Sequence, residues 1–183
     1  MKNTVRRITL IAIFAALMCV LSPLSIPIAP VPISLATLVV YLIAAVFPVS
    51  IAPCIVLLYL VIGLCGVPVF AGFKAGLDVF LGPTGGFLWG YLLGAVAESL
   101  FVTSFKGRKW SYPLGMFFAT VLIYLCGVLW FLYSMHGSYD LKGALMACVV
   151  PFLLGDAVKI AVATAIAIPL RRFSDQQIAV KAR

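Results

Sequence analysis

The sequence predicts an all-α membrane protein with about six transmembrane helices, both termini cytoplasmic, and irregular outer loops capping a ligand cavity. Three observations lead there: the composition, the way proline and glycine break the apolar runs, and the placement of lysine and arginine. Hydrophobic residues make up 64% of the 183-residue chain and charged residues 10%, with a mean hydropathy of +1.22. A water-soluble domain carries roughly a quarter of its residues charged, so this chain takes lipid as its solvent.

No charged residue occurs from Ile8 through Phe73. That stretch is too long for one helix, and Pro23, Pro27, Pro30 and Pro32 divide it into a first span (about 5–24) and a second (about 33–47). Pro48 and Pro53 mark a tight turn into a third span, about 51–66, because proline removes a backbone donor and biases its predecessor away from α. The fourth span is expected over about 85–105, the fifth over about 113–134, and the sixth over about 146–170, ending before Arg171 and Arg172. At about 20 residues per span, six of them and their short loops leave room for a single integral membrane domain over residues 1–183.

Lysine and arginine set the orientation. With both termini cytoplasmic, Lys2, Arg6, Arg7, Arg171, Arg172, Lys181 and Arg183 fall inside, joined by Lys106, Arg108 and Lys109 of the fourth loop. Only Lys74 and Lys142 fall outside, and Lys159 lies within a span. This bias accounts for the net charge of +8 without invoking nucleic acid, for which a basic stripe interleaved with aromatics is lacking. The proline-rich continuation offers no small-residue cleavage site, so the N-terminal apolar run is expected to be a span and not a leader. The five scattered cysteines form no CxxC pair and read as small buried hydrophobes.

Two outer segments, 22–32 and 66–86, are apolar yet rich in proline or glycine. Irregular backbone at membrane depth is tolerated only where it is buried in protein or lines a cavity, so both segments are expected to cap a ligand. Asp156 and Lys159, three apart in the sixth span, share one helical face. A charge at that depth usually faces the protein interior or a cavity. The pair is therefore either a self-satisfied ion pair or a reader of a ligand with both a polar ring and an anionic end. Lys74 reads as a solvated surface residue, whereas Asp78 has apolar neighbours that make idle exposure unexpected. Glu98 is expected to reach the cytoplasmic side or pair with a basic side chain. Ala12 and Ala16, with Ala15 broadening the face, form a small-xxx-small pair that lets another helix approach closely. His136 is the sole histidine, and HExxH, P-loop and G-x-S-x-G patterns are absent. No catalytic residue, metal site or cofactor is expected, and any energy for uphill transport must come from elsewhere.

The runs GLCGVPVFAG (63–72) and GPTGGFLWGYLLGA (82–95) resemble the signature region of the BioY family, the biotin-specific S components of energy-coupling factor (ECF) transporters. APVPISLATL (29–38) resembles that family's entry to its second helix, and PFLLGDAVKI (151–160) its sixth-helix motif. Ala36 stands where the family often has a polar residue, and Phe73-Lys74 where glycine commonly follows FAG. The resemblance implies a multi-pass subunit of the bacterial cytoplasmic membrane that binds biotin from outside. It further implies assembly with a transmembrane coupling protein and two ATPase subunits, docked through Ala12 and Ala16. For such a ligand, Asp156 or Asp78 would meet the ureido ring, and Phe70 and Tyr41 would cover the apolar rings and chain. Lys159, with Lys74 in reserve, would meet the carboxylate, and Thr84 with the backbone at Gly85 would add donors. The alternatives are an S component for another vitamin, such as thiamine or riboflavin, and a small lipid-modifying membrane enzyme.

Overall fold

The computed structural model describes the backbone of residues 2–27 and 31–180 and the side chains of residues 4–27 and 31–171. Pro30 and the side chains of Lys2, Arg172, Lys181 and Arg183, which enter the expectations above, lie outside the described residues. Helix α1 spans Lys2–Leu21. The proline-rich stretch that follows is not wholly irregular: β1 (Ser25–Ile26) pairs antiparallel with β2 (Ile33–Ser34), setting Ser25 opposite Ser34 and Ile26 opposite Ile33. Helix α2 (Ala36–Val46) stops at Phe47, whose extended conformation (φ −102°, ψ 148°) is the one that Pro48 imposes on its predecessor. Helix α3 (Ala52–Leu64) carries Pro53 in its first turn, where no intrahelical donor is lost.

A short helix, α4 (Leu77–Leu81), interrupts the glycine-rich segment read as irregular. Beyond it lie α5 (Gly85–Ser104), α6 (Ser111–Ser134), α7 (Leu141–Cys148) and α8 (Val150–Val180). The last expected span therefore differs at both ends. The chain breaks at Val149 (φ −125°, ψ −56°), two residues before Pro151. At the other end the helix runs through Arg171 and Arg172 instead of stopping, since arginine is itself a good helix former.

Helix α1, α5, α6 and the stretch Leu141–Arg171 are long and apolar enough to cross a bilayer, while α2 and α3 have 11 and 13 residues. Helix α2 is buried along most of its length and packs against α1, α3, α5, α6 and α8. The closest pair is α5 with α6, and the sequence explains it. Gly86, Gly90 and Gly94 recur every fourth residue on α5, facing α6. A Cβ at Gly90 would sit 2.9 Å from Ile123 Cα, and one at Gly86 would collide with the Cys126 carbonyl oxygen. Only a stripe without side chains lets the two backbones approach so closely. Away from that seam, Leu93, Leu100, Phe117, Val121, Leu125 and Leu129 are exposed. An apolar surface of this kind is what lipid contact selects, and the chain is a multi-pass membrane protein. Of the cysteines, Cys148 is buried as expected, but Cys54 and Cys65 lie on the exposed face.

Candidate ligand-binding site

A cavity lies under Ser22, residues 31–34 and the 70–84 segment, between α2, α5, α6 and α8. Its floor is polar and its walls are mostly apolar. Asp156 and Lys159 come from adjacent turns of α8, Thr37 from the first turn of α2, and Tyr124 from the middle of α6. Lys159 Nζ donates to Asp156 Oδ1 at 2.8 Å and to Thr37 Oγ1 at 2.9 Å. Thr37 in turn donates to Asp156 Oδ1 at 3.4 Å, and Tyr124 donates to Asp156 Oδ2 at 2.6 Å. Asp156 and Lys159 are 3% and 9% exposed, so each charge is held in place by the other.

Donor and acceptor counting shows what this floor leaves open. An ammonium has three N–H groups and a carboxylate about four lone-pair sites. Two of the Lys159 donors and three of the Asp156 acceptor sites are used. One donor on Lys159 and one acceptor site on Asp156 Oδ2 remain, and the pair carries no net charge. Such a floor suits a neutral group that presents an N–H next to a carbonyl.

Above the floor, Phe87 and Leu88 of α5, Ile123 of α6 and Phe152 of α8 supply apolar wall, and Phe70, Ala71 and Val79 close the top. Phe70 is fixed edge-on to Tyr59 (ring centroids 5.6 Å apart) and 6.0 Å from Phe80. Gly63 seats it, since any Cβ there would strike the Phe70 ring. Trp130 Nε1 donates to the Gly82 carbonyl at 3.0 Å and ties the same cap to α6. Ser22 and Tyr59, hydrogen-bonded at 2.6 Å, and Thr84 place hydroxyls on the lining. Lys74 also reaches the lining while remaining exposed, with its carbonyl accepting from the Phe70 backbone N–H at 3.0 Å.

Of the residues singled out from the sequence, Asp156, Lys159, Phe70, Thr84 and Lys74 meet at this cavity. Tyr41, Asp78 and Gly85 are absent from its lining, and the reasons are physical. Tyr41 is fully buried with its hydroxyl turned to Thr120 Oγ1 at 2.6 Å. Asp78 is exposed on α4, and Gly85 is packed against the Phe80 carbonyl. Thr37 and Tyr124 were missed, although the first stands in the ISLATL run and the second in a span rich in aromatics. Only the fold brings them onto Asp156. Ala12 and Ala16 are exposed on α1, whereas Ala15 is buried and does not broaden their face.

The sequence profile of the BioY family matches residues 1–176. The chain belongs to the BioY family. Relatives within it include the biotin transporter BioY of Thermotoga maritima, 35% identical over 91% of this chain and 96% of its own length. Another is the biotin transporter BioY2 of Lactococcus lactis, 35% identical over 94% of each chain. The fold of this BioY-family chain matches a crystal structure of an S-component for biotin from an ECF-type ABC transporter, with a TM-score of 0.85 over 93% of each chain at 24% identity.

Proposed function

We propose that this chain is the biotin-binding S component of an ECF transporter in the bacterial cytoplasmic membrane. It is a transport protein and not an enzyme, as its named relatives are transporters. The observation that carries the reading is the neutral donor–acceptor floor formed by Asp156, Lys159, Thr37 and Tyr124 beneath apolar walls. A cyclic urea presents an N–H beside a carbonyl, so its N–H donates to Asp156 Oδ2 and its oxygen accepts from the free Lys159 donor. The sulfur ring and alkyl chain then lie against Phe87, Leu88, Ile123 and Phe152. The ligand carboxylate points toward the cap, where Lys74 is the available cation and Thr84 an additional donor. Asp156 keeps the role read from sequence, while Lys74 takes the ligand carboxylate in place of Lys159, which is already neutralised by Asp156 at 2.8 Å.

A cationic ligand such as thiamine would find the only carboxylate of the lining among the described residues already paired. Work for uphill uptake comes from a coupling protein and two ATPase subunits, with the exposed Ala12/Ala16 face of α1 as the docking surface. Titration of the detergent-purified protein with biotin, thiamine and riboflavin tests the reading. Saturable binding of biotin alone is the expected result. Binding of thiamine or riboflavin in preference to biotin would assign the cavity to another vitamin.

A further inference from the structure

Glu98 is the one buried carboxyl of the described residues that the cavity does not use. It lies on α5 seven residues beyond Tyr91, about 10 Å further from the cap at 1.5 Å per residue. Its side chain is fully buried, and neither carboxyl oxygen has a hydrogen-bond partner among the described residues. The expectation that it would reach water or pair with a basic residue is therefore overturned. The bundle makes room for it, since a Cβ at Gly115 of α6 would sit 3.4 Å from Glu98 Cγ.

Among the described residues, the elements packed on α5 offer no counter-charge. Tyr41 of α2 has its hydroxyl bonded to Thr120 at 2.6 Å. Tyr59 of α3 is bonded to Ser22, Asp78 of α4 is exposed, and Tyr124 of α6 is bonded to Asp156. Tyr112 of α6 is buried one turn from Gly115, toward the Gly107 loop and Arg171. Lys159 is tied to Asp156 and Thr37, and Arg171 Nη1 donates to the Ala45 carbonyl at 3.0 Å. An unpaired carboxylate in such surroundings is strongly disfavoured, so the group stays neutral instead.

We propose that Glu98 is a proton-binding site that latches the half of the bundle away from the ligand cavity. It holds its proton while α2, α5 and α6 are closed around it. When water reaches it, the O–H bond breaks, the electron pair stays on the carboxylate oxygen, and the proton passes to water. An exposed glutamate ionises near pH 4.3, so at neutral pH every state that opens this region releases one proton. Each unit of rising pH then favours the open state by up to tenfold. This inference does not depend on the identity of the ligand.

Infrared spectra of the purified wild-type protein and of Glu98→Gln test the site directly. The wild type is expected to show a protonated-carboxyl stretch that persists between about pH 6 and pH 8 and is missing from Glu98→Gln. A carboxylate band lost on that substitution, with the protonated band unchanged, would overturn the proposal. Thermal stability in detergent tests the latch. That of the wild type is expected to fall from about pH 6 to pH 8, and the fall should be smaller in Glu98→Gln and in the apolar variant Glu98→Met. Parallel pH profiles in the wild type and whichever variant folds would show that Glu98 latches nothing.

Discussion

Lys159 and Asp156 form one neutral unit, with Nζ and Oδ1 2.8 Å apart. Each cancels the other's charge, and in the proposed binding mode their leftover donor and acceptor meet a urea edge. Asp156→Asn leaves Lys159 buried without its counter-ion (side chain 11% exposed). It also replaces an acceptor with a group that can turn a donor toward the ligand. Hydrogen bonds to charged groups contribute about 1.5–3 kcal/mol, so Asp156→Asn is expected to weaken biotin binding by at least about tenfold. Calorimetry on membrane-inserted protein checks this, and unchanged affinity would move the ring elsewhere. Lys74 gives a second test at the same scale. Lys74→Ala should weaken biotin several-fold yet leave the affinity for biotinamide, which has no carboxylate, as it was. An equal loss for both ligands would mean that Lys74 supports the cap and does not read the acid. Asp156 and Lys159 were legible because charge inside an apolar span is rare. Thr37 and Tyr124 were not, since hydroxyls carry no such contrast and lie 119 and 32 residues from Asp156 in the chain.

Helix ends were legible where an apolar run met a proline or a loop of charges, as at Phe47–Pro48 and at Lys106–Lys109, but not at Arg171 and Arg172, which α8 absorbs. What escaped was structure inside the segments treated as irregular: the β1–β2 ribbon and α4 are too short for any periodic signal. The Gly86–Gly90–Gly94 stripe stood in the sequence at its spacing of four, but nothing local says which neighbour it faces. Gly90→Leu should drive α5 and α6 apart, because the side chain would enter the Ile123 backbone. Overpacking of this kind costs about 1–3 kcal/mol or more, and a lowered melting temperature in detergent is the expected sign. Helix α1 carries a different kind of small-residue face. Ala12 and Ala16 are exposed, so Trp at either position leaves the cavity untouched. Biotin binding is expected to persist in Ala12→Trp and Ala16→Trp, while co-purification with the coupling protein is lost. Loss of binding with assembly intact would overturn that division of labour.

At the scale of the whole molecule, the arrangement separates three tasks along the bundle. Ser22, Val31, Pro32 and the stretch around Phe70 close the top, α2, α6 and α8 build the floor proposed to select the ligand, and the apolar exterior suits lipid. The class of protein was open to reading because composition reports solvent. The division into floor and cap was only partly so, because it depends on helices far apart in sequence meeting at one point. The central claim is that the floor reads a urea, and it is tested most directly by titrating the purified protein with biotin and with 2-iminobiotin side by side. The imino analogue replaces the carbonyl acceptor with a donor that faces Lys159. Biotin is expected to saturate a single site, with 2-iminobiotin at least about tenfold weaker. Equal affinity for the two, or no binding of biotin to folded protein, would contradict the assignment of Asp156 and Lys159 to the ureido ring.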